Sequence, residues 1–410
     1  MALTEKLLSE ELLEEILTKY FEETIRVLDI NISSDVSKHT EHFCSLMKRV
    51  KAHYLSKDGE RRVLSMVAKC FPEDEYQAKF VGDMKFFDCE LAVYGDVIPR
   101  VSRLGRYFAV CPPRNVLVSE SQERFAPKVY FYTSKPSPML LLEDLASVNY
   151  KIVHRRGGLD LKHSRLVMEK LAFFHAASYA LLEKGATHLT KFVRPIYRHS
   201  GITYDFVSLS YDEVVKVCEN VAGLSKYVEK LRLSKEGVLE KIFQINNANA
   251  DFKVLTHGDC WINNLMFHYD HDNEVDDVRF VDFQNACFTT PCLDLHHFLA
   301  SSLNLDTRTE WDVIVDHYFK NLMQRLKLFG TKTLPTREQF DADFRLFSYC
   351  GLGSSLLILP LVKSSRTDGT VQSFFEDYSF RHHCFNNEDY LKEIEYYLPF
   401  YDSLGIFDLQ

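Results

Sequence analysis

The sequence predicts an α+β protein of two lobes: a small antiparallel-sheet lobe at the N-terminus and a larger, mainly helical lobe after it. Three observations lead there. From about Phe43 to Leu142 the chain runs in short apolar stretches broken by turns, the texture of paired strands. After Leu145 the apolar spacing becomes helical, most clearly over Leu161–Leu182. No repeat and no low-complexity linker separates the two textures, so the join falls near Glu143. We set the N-terminal lobe at 1–142, a connecting hinge at 143–150 and the helical lobe at 151–410. A chain of 410 residues buries a core of that size and commonly divides in two.

Each element has its own signal. Over residues 4–25 an amphipathic helix is predicted. Ser9 caps it, Glu10 and Glu11 suit its first turn, and Leu13, Ile16, Leu17 and Tyr20 share one face. Phe43–Tyr54 and Arg62–Phe71 flank Ser56-Lys57-Asp58-Gly59, whose Asp-Gly pair predicts a hairpin. A helix over Glu75–Tyr94 follows, then strands at Asn115–Ser119, Lys128–Tyr132 and Met139–Leu142. The Leu161–Leu182 helix stops before Gly185. Phe340–Val362 and Asn387–Tyr397 read as further helices.

Composition narrows the partners. A formal net charge of −9 argues against a general nucleic-acid surface, which needs a basic face. The N-terminal stretch MALTEKLLSEELLEE is charged from its fifth residue and lacks the apolar run of a secretory signal. Leu346–Val362 is the longest uncharged run. Its 17 residues hold two glycines and a proline, which suits a buried helix rather than a membrane span. Ten scattered cysteines without a C-x-x-C pair read as reduced thiols. The expectation is a cytoplasmic protein with no membrane insertion and no evident protein partner.

The chemistry concentrates in two stretches. Thr256-His257-Gly258-Asp259-Cys260-Trp261-Ile262-Asn263-Asn264 carries an acid and, five positions on, an amide. Phe280-Val281-Asp282-Phe283-Gln284 carries a second acid closing an apolar strand. A hairpin over Leu265–Phe267 and Val278–Val281 would bring Asn264 and Asp282 together. Phosphoryl transfer from Mg-ATP needs this set. One carboxylate orients or deprotonates the attacking hydroxyl, while a carboxylate and an amide oxygen hold a hard cation on the phosphates. Upstream, Lys69 ends an apolar strand and Glu90 follows 21 residues later in a helical stretch, the order of a phosphate-positioning ion pair. Leu140-Leu141-Leu142-Glu143-Asp144-Leu145 suits a hinge whose backbone receives adenine. No Gly-x-Gly-x-x-Gly or Walker lysine loop is present. Cys292 with His296-His297, and His382-His383-Cys384, lack zinc spacing. His175 sits in an apolar run and reads as a core histidine. Tyr396, Tyr397, Phe400 and Tyr401 read as lobe packing.

These motifs resemble the ecdysteroid kinase-like group of the aminoglycoside phosphotransferase and choline kinase superfamily. The resemblance rests on HGDCWINNLMF (257–267), VDFQ (281–284), PCLDLHHF (291–298), LLLEDL (140–145) and LAFFHAAS (171–178), and spans about residues 40–400. It implies a protein-kinase-like fold and an ATP- and Mg2+-dependent transfer to the hydroxyl of a small molecule, ecdysteroid-like or a hydroxylated xenobiotic. It implies Asp259 as the catalytic aspartate, Asn264 and Asp282 as metal ligands, and Lys69 with Glu90 as the phosphate-positioning pair. Glu143, Asp144 and Leu145 would be the nucleotide hinge, with Gln284 in place of the usual glycine. His257 would orient the loop, and Asp294 would be a buried structural aspartate. One departure stands out. The expected nucleotide loop, Asn31–Phe43, has no glycine, leaving Ser33, Ser34, Ser37 and Thr40 as donors. It keeps a second reading open, a weakly active or inactive binding protein on the same fold. A metal-dependent phosphohydrolase would need a second acidic-histidine cluster, and a protein kinase would need an Ala-Pro-Glu segment; the sequence offers neither.

Overall fold

The structure is a computed structural model that describes residues 8–34, 45–110, 124–193, 201–247, 249–366 and 369–408. Helix α1 (Glu10–Phe21) starts where Ser9 Oγ accepts the Leu12 amide at 3.2 Å, and Leu13, Ile16 and Leu17 are its buried face. The chain then forms β1 (Arg26–Ser33), a strand the sequence reading did not single out. Leu28-Asp29-Ile30-Asn31-Ile32-Ser33 alternate apolar and polar residues, and the part expected as the start of the nucleotide loop, Asn31–Ser33, is the end of this strand. β1 pairs antiparallel with β2 (Leu46–Leu55), and β2 with β3 (Arg61–Cys70) across the expected Asp58-Gly59 hairpin.

The single helix predicted over 75–94 is two, α2 (Glu75–Met84) and α3 (Phe86–Ala92), divided at Lys85 with φ +57°. The break seats Phe86 and Phe87 with Val81 and Met84 in a small apolar cluster of their own. A wide turn (Val93–Val97) leads into α4 (Ile98–Val110). Strands β4 (Val129–Thr133) and β5 (Met139–Glu143) complete a five-stranded sheet in the order β1-β2-β3-β5-β4. The strand predicted at Asn115–Ser119 lies outside the described residues, as do Ser37 and Thr40 of the expected nucleotide loop.

Beyond a short turn at Leu145–Val148, β6 (Tyr150–Ile152) already belongs to the second lobe. There follow α5 (Leu161–Glu183), α6 (Gly201–Asn220), α7 (Val228–Phe243), β7 (Val254–Thr256), β8 (Leu265–Tyr269), β9 (Val275–Phe280) and β10 (Cys287–Thr289). β6-β8-β9 form one small sheet and β10-β7 another. Helices α8 (Cys292–Ser301), α9 (Trp311–Leu328), α10 (Arg337–Leu346), α11 (Ser348–Leu357), α12 (Leu359–Lys363), α13 (Val371–Glu376), α14 (Tyr378–Phe385) and α15 (Glu388–Ser403) complete the lobe. The helix expected over Phe340–Val362 is thus split into α10, α11 and α12. At the second break Pro360 has no amide to give to the helix before it, so α11 ends and α12 begins with proline in its first turn. The sheet lobe packs around Leu13, Leu17, Val50, Met66 and Leu141, while a much larger core runs from α3 through the helical lobe. Among the described residues no helix is long and apolar enough to cross a membrane.

Candidate active site

Lys69 reaches the cleft because of strand alternation. Met66, Ala68 and Cys70 of β3 face the sheet-lobe core, so the lysine between them faces the other way. Its Nζ lies 2.7 Å from Glu90 on α3 and 2.9 Å from Asp282 just beyond β9. Burial alone would lower the Lys69 pKa, and the two carboxylates overcome it and hold the ammonium charged. Burial pushes Glu90 up to about 7, against the pull of Lys69. Asp282 is the open end of the trio, with 29% of its side chain exposed. Its backbone is left-handed, φ +68°, a conformation Asp tolerates better than most residues. Phe283, the next residue, is fully buried against His257 (ring centroids 4.7 Å) and Tyr94 (5.2 Å), which turns Asp282 outward toward Lys69.

The second group is built on the loop between β7 and β8. Asn264 Nδ2 donates to the Asp259 carbonyl at 2.9 Å and approaches its Oδ2 at 3.3 Å. That engagement leaves the amide oxygen of Asn264 as the atom for a cation. The β8–β9 hairpin joins the two groups as expected: Leu265 pairs with Phe280, and the Val281 amide donates to the Asn264 carbonyl at 3.0 Å. Asp282 and Asn264 together offer hard oxygen donors, the chemistry magnesium takes.

The loop is clamped from behind. Asp294 on α8 accepts the amides of His257 and Gly258, at 2.7 and 2.8 Å, and lies 3.1 Å from His175 Nε2. Burial works to raise the Asp294 pKa; the His175 bond and the nearby His257 outweigh it and hold the carboxyl below its usual range. His175 is held in turn by Tyr318, 2.7 Å away. His257 is kept neutral by burial. Its Nε2 donates to the Val281 carbonyl at 3.0 Å, and its Nδ1 accepts the Asp259 amide at 3.3 Å. It therefore ties the Asp259 loop to the Asp282 strand through both ring nitrogens.

The side chains of the expected hinge residues are engaged within the fold. Asp144 turns its carboxylate to Arg49 at 2.8 Å and Ser65 at 2.7 Å, and Glu143 binds Arg124 and the Lys128 amide. Leu145 is buried at the start of the connecting turn. A cavity of about 670 Å³ adjoins Glu143, lined by Arg106, Arg124, Lys128, Tyr150 and Arg279 among others; Lys69, Asp259, Asn264 and Asp282 are not in its wall. Two groups beside Asp259 escaped the sequence reading: Asn285, whose Nδ2 lies 3.5 Å from Oδ2, and His297, whose Nε2 lies 3.2 Å from Oδ1. His297 had a signal. It stands three residues after Asp294 on one helix, which puts both on the same face.

A small sheet lobe, a helical lobe and these two groups at their junction define a small-molecule kinase of the two-lobed kinase-like fold. The chain belongs to the ecdysteroid kinase-like family, whose model matches residues 39–331. Solved structures it is similar to include an ethanolamine kinase from Plasmodium vivax, at 11% identity and a TM-score of 0.43, covering 92% of this chain and 83% of that one. An aminoglycoside phosphotransferase from Streptomyces rimosus, in complex with ADP and streptomycin, aligns at 17% identity and a TM-score of 0.32, covering 74% and 90%. An amicoumacin kinase in complex with AMP-PNP, Ca2+ and Ami aligns at 12% identity and a TM-score of 0.38, covering 92% of this chain and 93% of that one. No curated protein matches the sequence at a significant level.

Proposed function

We propose that this chain transfers the γ-phosphoryl group of Mg-ATP to a hydroxyl of a small lipophilic molecule, an ecdysteroid-like steroid or a hydroxylated foreign compound, in the cytoplasm. The observation that carries the reading is the buried Lys69 ammonium held between Glu90 and Asp282, with Asp259 and Asn264 one hairpin away. In this reading Glu90 anchors Lys69 so that its charge faces the α- and β-phosphates. Asp282 and the Asn264 amide oxygen would hold the magnesium, which would supply charge neutralisation for the transfer. Asp259 orients the acceptor hydroxyl and takes its proton as the new O–P bond forms and ADP leaves. The Glu143 and Asp144 carboxylates are engaged elsewhere, so the hinge contributes backbone groups to adenine. The apolar and aromatic content of residues 340–362 and 390–406 supports a lipophilic acceptor, whose pocket would be largely apolar with a few polar anchors.

The glycine-free segment 31–43 supports a second reading, a binding protein with little turnover. Thermal unfolding with and without millimolar Mg-ATP separates the two. Nucleotide at about 100 times its Kd adds about 2.7 kcal/mol, a shift of a degree or more. The wild type is expected to shift in a magnesium-dependent way, and Asp282→Asn is expected not to. A wild type that ignores Mg-ATP, at concentrations that stabilise an active relative, would favour the binding protein.

A further inference from the structure

His297 presents its ring to the catalytic loop from the same face of α8 as Asp294. The ring is buried, 2% exposed. Its Nδ1 lies 2.8 Å from Ser354 Oγ on α11, a hydroxyl that also lies 3.0 Å from the Cys350 carbonyl. Its Nε2 lies 3.2 Å from Asp259 Oδ1 and has no hydrogen-bond partner of good geometry among the described residues. The approach is close but off the line of an aligned hydrogen bond, which is usual in unliganded sites, where such bonds tighten in the reacting complex.

The protons on this ring follow from Ser354, which has one hydrogen to give. Pointed at Nδ1, it leaves a neutral ring carrying its proton on Nε2. Pointed at the Cys350 carbonyl, it accepts from Nδ1–H, and a bare Nε2 then sets a lone pair against a carboxylate. The first arrangement avoids that repulsion and puts an N–H toward Asp259 Oδ1.

We propose, resting on the transfer reading above, that His297 is a positioning residue for phosphoryl transfer. Its Nε2–H holds Oδ1 while the Asn264 and Asn285 amides approach Oδ2, and together they fix the rotation of the Asp259 carboxylate that meets the acceptor hydroxyl. A histidine that only knits α8 to α11 would need the Ser354 bond and nothing else, and two substitutions separate these roles. His297→Asn keeps a donor where Nδ1 meets Ser354 and loses the one at Asp259; His297→Gln does the reverse.

Slow hydrolysis of Mg-ATP by the full chain serves as the probe, since it needs no acceptor. Both variants are expected to keep the Mg-ATP thermal shift. Hydrolysis should fall roughly 10- to 100-fold in the Asn variant and stay within about threefold of wild type in the Gln variant. Equal turnover of the two would overturn the assignment. Imidazole 15N spectra of wild type and Asp259→Asn give a readout independent of turnover. Both His297 ring signals are expected to move when the carboxylate becomes an amide, and a ring that does not respond sinks the proposal. Failure of the wild type to bind Mg-ATP would instead remove the transfer reading, while the spectra still decide whether His297 faces Asp259.

Discussion

His296 and His297 are neighbours on α8 with opposite surroundings, and the pair shows how far residue identity alone informs. His296 stacks on Phe344 with centroids 4.1 Å apart and places Nε2 2.7 Å from the Phe344 carbonyl. Burial lowers its pKa from 6.5 to about 4, against that bond. The sign is direct. Below pH 6.5 the unfolded imidazole takes a proton that the folded one refuses, so the unfolded state binds more protons. Stability from this residue is complete above pH 6.5 and drains as pH falls to about 4, by up to about 3 kcal/mol. His296→Gln keeps a donor for the Phe344 carbonyl. Chemical denaturation across pH 4–6.5 should show a shallower loss in that variant; the same slope in both proteins would contradict the assignment. Lys69, Glu90, Asp259, Asn264 and Asp282 stand out in the sequence by residue type and order, and the structure brings them to one place. Asn285 does not stand out, since nothing in an isolated asparagine says that a loop will turn it toward Asp259.

At the scale of elements, the turn carrying Asp259 depends on Gly258. Its φ is +78°, and a Cβ there would sit inside the Asn285 carbonyl. Gly185 has φ +99° with no atom within 4 Å of where its Cβ would be. Gly185→Ala is therefore a matter of backbone strain alone, about 1 kcal/mol, whereas Gly258→Ala must also push the loop apart and should cost about 3 kcal/mol or more. Melting temperatures of the two variants test this, and similar losses would mean the loop at Asn285 yields freely. Elements with strong local signals were read well: the Asp58-Gly59 hairpin, the long α5, the β8–β9 pair. Those shaped by tertiary packing were not. Lys85 interrupts a good helical pattern because Phe86 and Phe87 must enter an apolar cluster. β1 did carry a local signal, the apolar-polar alternation of Leu28–Ser33, which the expected nucleotide loop at Asn31–Phe43 overrode; its pairing with β2 settles it as a strand.

Across the whole molecule the two lobes have separate cores, and the smaller is the weaker. Leu13, Val50, Met66 and Leu141 belong to a modest cluster under one sheet, while α5, α8 and β7 lie in the main core. Amides of β2 and β3 are expected to exchange hydrogen through lower-energy openings than those of α5, and Mg-ATP should slow the former more, because Lys69 belongs to β3. Equal protection in both lobes would argue for one cooperative unit. The clamp on the catalytic turn has a consequence for how the protein is made. Lys69, Glu90, Asp259, Asn264 and Asp282 have all left the ribosome before Asp294, and Asp294 before Tyr318, which steadies the far side of its His175 partner. On the proposed reading, a nascent chain, or one cut short after Asp282, would carry all five of those residues and still lack the support that holds His257 and Gly258. Competence would then arrive late in synthesis, and an incomplete copy would be a silent one.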